Sequence, residues 1–220
     1  MTSVWNWQGV LDRGDLKDTY VAKVDRLADA ARDGQWEAVF RLSDELDLGV
    51  NVWRVGGESL YTPLHQAAWH GAGTTVVERL LSLGAWRTLR TAAGENAHDI
   101  ARRRGHAHLL ESLAPTERSL GRLDELTALD TRLRDLVESR IRPHIGTRLR
   151  FPQTSVLTEV KDTMLRQRMG FPVPGMYGGF EITLVTAGLR VVSSSRVAGG
   201  SGQEHLVTRD GVLLIDEGFV

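Results

Sequence analysis

Residue types able to do chemistry gather in several places along the chain. His98, His106 and His108 lie close to Asp99, and imidazoles beside a carboxylate can hold a divalent metal. Their spacing argues otherwise, because His106 and His108, two residues apart, diverge on a helix and no further ligand flanks them at metal spacing. Ser193, Ser194 and Ser195, with His205 and Asp216, are the residue types of a nucleophilic triad. They fall in a strand pattern without the tight strand-to-helix turn that exposes a nucleophile, and so read as exposed strand residues. Gly199-Gly200-Ser201-Gly202 could cradle a phosphate, but it lacks the Lys-Ser/Thr ending of a phosphate loop and lies between strands rather than before a helix. Arg102-Arg103-Arg104, joined by Arg118 and Arg122, could meet nucleic acid. Acidic residues intersperse nearby and no aromatic ladder accompanies them, so a solvated helix face is the favoured explanation. The reading is of a non-enzymatic chain with neither cofactor nor metal.

Composition narrows the classes further. The chain has 220 residues, 41% hydrophobic and 25% charged, enough for two modest cores. A formal net charge of -1 supplies no global field to draw in nucleic acid or an anionic membrane. The absence of cysteine excludes disulfides, thiolate metal sites and cysteine nucleophiles. The first residues lack a basic start and an apolar run, and no stretch reaches the length of a membrane span, so a cytoplasmic location is expected. Of the 27 basic residues, only Lys17, Lys23 and Lys161 are lysine, which points to a GC-rich bacterial genome.

The elements that would position these residues are of two kinds. In the first half, Thr62-Pro63-Leu64-His65-Gln66-Ala67-Ala68-Trp69-His70-Gly71 is followed by Val76-Val77-Glu78-Arg79-Leu80-Leu81 and Leu83-Gly84-Ala85. Pro63 presets a first helical turn, Thr62 can cap it, Ala67 and Ala68 let helices approach closely, and Gly71 ends the helix. The stretch resembles an ankyrin repeat. Gly94-Glu95-Asn96-Ala97-His98-Asp99-Ile100-Ala101, with Gly105, His106, Leu109 and Leu110, resembles the next repeat, Ala97 standing 35 residues after Thr62 where the family has about 33. That difference implies about two inserted residues. Upstream, Leu27-Ala28-Asp29-Ala30-Ala31-Arg32-Asp33-Gly34 with Trp36-Glu37-Ala38-Val39 resembles a degenerate first repeat, leaving 47–61 as a lengthened inter-repeat loop. Three repeats are about the minimum for a stable stack.

After Leu113 the character changes. Pro115 opens a helix in which Leu120, Leu123, Leu126, Leu129, Leu133, Leu136, Val137 and Ile141 recur at steps of three or four until Pro143. Its stripe packs within the chain or forms a homodimer seam, leaving monomer and dimer both open. From Phe180 the period becomes that of strands, with a corner at 186–188, a second strand over 189–197, a third at 205–208, and Asp210-Gly211 as a hairpin turn before Val212. This predicts an antiparallel meander of about four strands, covered by the 116–142 helix or the 155–168 segment. The segment 171–180, with two prolines and three glycines, reads as a specifically shaped entrance loop. The expected class is thus α+β: a short ankyrin-repeat solenoid of about three repeats, then a long helix and a small antiparallel β-meander. The boundaries are 1–19 for a segment packing on the repeats, 20–113 for the repeats, 114–150 for helix and connector, and 151–220 for the small α+β unit.

The six tryptophans all fall within the first 90 residues. Trp36 starts a second helix and packs in the core. The ankyrin resemblance implies that Trp69 points to the concave surface and that Trp53 and Trp86, in inter-repeat loops, line the same groove. The implied partner-binding set is Trp53, Arg54, Glu58, Tyr61, Gln66, Trp69, His70, Trp86, Arg87 and Arg90. Burial of the indoles would supply affinity and the charges of Arg54, Arg87 and Glu58 would select the partner. The partner would be another protein, not nucleic acid or a membrane, in a scaffold, regulatory or toxin-neutralising role. The rings would otherwise be covered by residues 4–10 or by the C-terminal unit. An alternative reading makes the C-terminal unit a small-molecule-binding or enzymatic domain, with Tyr177, Glu181, His205 and Asp216 converging near the entrance loop.

Overall fold

The computed structural model describes residues 5–45, 49–116, 123–141, 146–159, 168–196 and 200–218. The chain is α+β and divides into a helical unit, residues 12–120, and a sheet unit made of residues 1–11 and 121–220.

Among the described residues six helices build the helical unit as three pairs: α1 (Asp18–Arg32) with α2 (Trp36–Glu45), α3 (Pro63–His70) with α4 (Thr74–Ser82), and α5 (Ala97–Arg104) with α6 (Leu110–Leu113). Here α1, α3 and α5 are successive neighbours, and α4 also packs on α6. The same chain reversal recurs in each pair. Gly34, Gly71 and Gly105 adopt φ of +70°, +64° and +79°, and the next amide donates to a carbonyl five residues back: Gln35 to Ala30, Ala72 to Ala67, His106 to Ala101. One contiguous core runs through all three pairs, from Val24 and Leu27 through Leu64, Ala67 and Leu80 to Ile100, Leu109 and Leu113. Trp36 opens α2 and packs against that core, as expected.

The caps revise the spacing read from sequence. Asn96, not Ala97, is the counterpart of Thr62. Its side chain accepts from the Asp99 amide at 2.9 Å, while Asp99 Oδ2 accepts from the Asn96 amide at 3.2 Å. Thr62 and Asn96 are 34 residues apart, as are Gly71 and Gly105. A capping pair can therefore be built from Asn and Asp as well as from Thr and His.

In the sheet unit, α7 (Leu123–Ile141) lies beside six strands in the order β1 to β6. These are β1 (Trp5–Asn6), β2 (Arg168–Val173), β3 (Gly178–Val185), β4 (Gly188–Ser195), β5 (Ser201–Val207) and β6 (Val212–Gly218). Strands β2 to β6 form an antiparallel meander, and β1 pairs parallel with β2. The hairpin corners at 186–188 and Asp210-Gly211 stand where the sequence predicts them.

Two expectations are corrected here. Part of the entrance loop is strand: 171–173 belongs to β2 and 178–180 to β3, leaving 174–177 as the turn. Pro172 is tolerated because β1 covers β2 only at Met169 and Gly170, so the missing N–H faces no partner strand. Likewise, the amino-terminal segment belongs over residues 5–11 to the sheet unit. Trp7 is buried in the sheet unit, its indole Nε1 donating to the Arg150 carbonyl at 2.7 Å and its amide to Gly170 at 2.7 Å.

The α7 stripe is covered within the chain. Leu126, Leu129, Leu133, Leu136, Val137 and Ile141 are all buried, α7 packing on β5 and on a short 3-10 turn, Thr154–Thr158. That turn is fastened by Thr154, whose amide donates to Asp130 at 2.6 Å and whose hydroxyl donates to the Leu126 carbonyl at 2.9 Å. A homodimer seam along this stripe would have to expose residues already in a core. Pro115 and Thr116, where the sequence opens this helix, are not helical, while residues 117–122, with Leu120, and the predicted end at Pro143 lie outside the described residues. Among the described residues no helix is long and apolar enough to cross a membrane.

Candidate functional site

The α3 helix positions the site in the helical unit, and its start is held by His65. That ring is fully buried, with Nδ1 accepting from the Thr62 amide at 3.1 Å and lying 2.7 Å from the Thr62 hydroxyl. With Nδ1 accepting, Nε2 carries the hydrogen and donates to the Leu89 carbonyl at 2.9 Å. One ring thus fixes the helix start and ties it to the following loop.

Seven residues on from Thr62, Trp69 lies in the last turn of α3 with 36% of its surface exposed. Tyr61 meets it edge-on at 6.3 Å, and the Arg104 and Arg103 guanidinium groups lie 4.3 and 5.6 Å from its ring centre. Arg103 is held by Glu95 through two bonds of 2.7 and 2.9 Å, and this guanidinium holds the Glu95 carboxyl below its ordinary range. Arg104 makes no ion pair among the described residues; its Nε donates to the Trp69 carbonyl at 3.4 Å. The result is an indole partly open to solvent, ringed by a phenol and two cations, one of them already matched by a carboxylate. Such a surface can bury an apolar side chain and attract negative charge.

The other predicted contacts divide. His70 is exposed beside the patch, its Nε2 2.8 Å from the Arg32 carbonyl and its ring edge-on to Trp36. Glu58 is exposed and Gln66 half-buried. Trp53 and Trp86 are corrected: at 1% and 5% exposure neither ring is offered to a partner. The loops that carry them are folded onto one another, with Asn51 Nδ2 donating to Gly84 and Asn51 Oδ1 accepting from the Trp86 amide. Arg54 is engaged with Asp25 and Asp29, and Arg87 donates from Nε to the Ser112 carbonyl, so neither is held in reserve to select a partner. Arg90 is half-buried.

Arg103 and Arg104, which the charge pattern assigns to a solvated face, instead stand over the Trp69 ring. The signal was available in the spacing: Arg103 follows Trp69 by 34 residues, the same interval that separates Thr62 from Asn96. Residues one repeat apart become neighbours in a stack.

The remaining chemical groupings do not assemble a site. Contrary to the expectation that they diverge on a helix, His106 and His108 lie at a 3-10 turn with their rings edge-on at 6.1 Å, but no third ligand joins them among the described residues. His106 and His108 bring Nε2 to 3.2 Å from the Trp69 and Ala72 carbonyls, and Asp99 caps α5. In the sheet unit, Ser193, Ser195 and His205 are buried while Ser194 and Asp216 are not. Tyr177 is 77% exposed in the β2–β3 turn, Glu181 pairs with Arg168 at 3.2 Å, and Asp216 stands on β6, three strands from β3, or roughly 14 Å at ordinary strand spacing. Tyr177, Glu181, His205 and Asp216 therefore do not converge. An open cleft of about 520 Å³ on the sheet is lined by Gly170, Pro172, Gly179, Glu181, Arg190 and Ser194 among others. Its charged side chains are matched within the chain, Arg190 by Glu204 at 2.6 Å.

No protein-family model matches this chain, and no curated protein matches it. The functional reading rests on geometry.

Proposed function

We propose that this chain is a non-enzymatic protein-binding module of the ankyrin-repeat kind, which engages another protein through the Trp69 face of its helical unit. The observation that carries the reading is the partly exposed Trp69 ring between Tyr61 and the Arg103 and Arg104 guanidinium groups. Tryptophan, tyrosine and arginine are the residues in which binding energy concentrates at protein interfaces. Three helix pairs on one core, joined by equivalent reversals at Gly34, Gly71 and Gly105, support the repeat assignment. The partner's contact surface is apolar at its centre and carries acidic groups at its edge, opposite Arg104, and the biological setting is a bacterial scaffold, regulator or toxin-neutralising protein in the cytoplasm.

The experiment is capture by the immobilised full-length chain from its own host, with bound proteins identified by mass spectrometry and remeasured on Trp69→Ala and Arg104→Ala. A hot-spot loss at Trp69 of about 2 kcal/mol or more corresponds to about thirtyfold weaker binding. The fold should persist, because the ring lies at the surface. An unchanged set of captured proteins, at unchanged affinity, would refute the assignment.

A further inference from the structure

The two margins of the sheet are finished differently. At one, β1 covers β2 for only two residues and Pro172 lies just beyond them. The chain after β1 is tied down there, Leu11 donating to the Arg148 carbonyl at 3.0 Å and Arg150 to the Gly9 carbonyl at 2.7 Å. Short strands, proline and cover are devices that keep a sheet edge from pairing with another chain. At the other margin β6 has none of these. Its seven residues are all exposed, and no strand lies beyond it among the described residues. Residues 212–215 are Val-Leu-Leu-Ile, without a charge or a proline. The one irregularity, Ile215 as an extra residue where the register shifts between Glu204 and His205, comes after Leu214 and leaves 212–214 regular.

The hairpin with β5 decides which groups β6 offers. The Thr208 amide donates to the Gly211 carbonyl at 2.8 Å, so Gly211 bonds inward. Bonding alternates along an antiparallel ladder, which turns Leu213 inward to Leu206 and directs the N–H and C=O groups of Val212 and Leu214 at the open margin. The side chains divide by face. Leu213 stands beside Leu206 on one, and Val212 and Leu214 stand beside Val207 and His205 on the other. Charge is confined to the ends, with Arg209 and Asp210 in the turn and Asp216 and Glu217 near the far end.

We propose that β6 pairs with β6 of a second copy of this chain, antiparallel about a two-fold axis at Leu213, so that the two sheets run on as one. In that register Val212 of each copy faces Leu214 of the other as a hydrogen-bonded pair, which satisfies every one of the outward groups on these residues. The two Leu213 side chains meet across the axis as a non-hydrogen-bonded pair, each flanked by its own Leu206. Charge sets the direction. Parallel pairing would line up Asp216 and Glu217 of one copy with those of the other, and like charges side by side oppose pairing. Antiparallel pairing parts the two acidic ends and brings each to a turn that carries Arg209. The two-fold axis closes the assembly at two copies, since each open margin is used up by the other. A ladder this short buries less than the roughly 800 Å² per partner of a standard stable interface, so monomer and dimer exchange and the dimer fills as concentration rises. The pairing uses no residue of the Trp69 face and stands whether or not that face binds a protein.

The test is sedimentation velocity on the full-length chain over a wide range of concentration. The expected result is a reversible shift from monomer to dimer mass, weakened about tenfold or more by Val212→Pro, which removes an outward N–H from each copy and leaves the β5–β6 ladder its own bonds. Because the chain has no cysteine, a single introduced thiol reads one position. Leu213→Cys meets its equivalent with Cα atoms about 4.5 Å apart and should give a disulfide-linked dimer in oxidised glutathione. Val212→Cys, about 8 Å from its equivalent at ordinary strand spacing, should not. Should Val212→Pro fail to fold by circular dichroism, the two cysteine variants decide. A chain that stays monomeric at every concentration, a dimer that a folded Val212→Pro leaves equally tight, or a disulfide that forms as readily at 212 as at 213 overturns the proposal.

Discussion

At the scale of single residues, histidines hold more of this structure than their number implies. His65 joins a helix start to the next loop from a fully buried position. His65→Ala would leave the Thr62 amide and the Leu89 carbonyl without their partner and open a cavity, a loss of about 3 kcal/mol expected from unsatisfied buried groups. Urea unfolding of the full chain followed by far-ultraviolet circular dichroism checks it, with His65→Asn as the variant that keeps part of the bonding. His205 makes a different prediction. Burial, and then the nearby Arg140 charge, lower its pKa below the ordinary 6.5. The unfolded chain therefore binds a proton more readily than the folded one. The stability that the neutral ring contributes is complete above about 6.5 and is lost as the pH falls from there through the lowered folded value. The unfolding midpoint of the sheet unit should drop between pH 7.5 and 5, and His205→Gln should flatten that dependence.

At the scale of elements, the segment before the first helix matters most to the sheet unit. Trp7 is 1% exposed, bonded to Arg150 and Gly170 backbone, and overlain by the Arg150 guanidinium at 5.3 Å. Burial lowers the pKa of that guanidinium to about 9, which leaves it charged at neutral pH. Trp7→Ala should cost about 3–5 kcal/mol, the range for large aromatics removed from cores. The loss should appear as lost amide protection in β2 and β3 by hydrogen exchange, with α3 and α5 protected as before. This element was the least legible in the sequence. Two residues of parallel pairing carry no period, and their partner strand lies more than 160 residues downstream. By contrast, α3, α4 and the β3–β4 and β5–β6 hairpins were readable, because Thr-Pro, the Gly71 reversal, alternating Phe180, Ile182 and Leu184, and Asp210-Gly211 are local signals. Trp69 and Tyr61 in the candidate site were readable through the repeat resemblance. The enclosure of Trp53 and Trp86 was not, since an indole in a loop looks the same in sequence whether the loop folds outward or onto its neighbour.

For the molecule as a whole, the sheet ends on an unprotected margin. Strand β6 is exposed along its length, with Val212, Leu213, Leu214 and Ile215 between 41% and 59% exposed, and no strand pairs on its far side among the described residues. A flat apolar edge is a template for pairing between copies. Leu213→Lys should therefore raise the concentration at which light scattering detects association, with little change in unfolding midpoint. The division into two units has a consequence of another sort. Because residues 1–11 and 121–220 make one unit and 12–120 the other, the polypeptide crosses between them twice, and a single protease cut at either crossing would release neither half so long as β1 stays seated. Synthesis faces the same topology from the other side: Trp7 leaves the ribosome ahead of the helical unit but waits for β2, so the helices have the opportunity to mature while the sheet is still missing its other members.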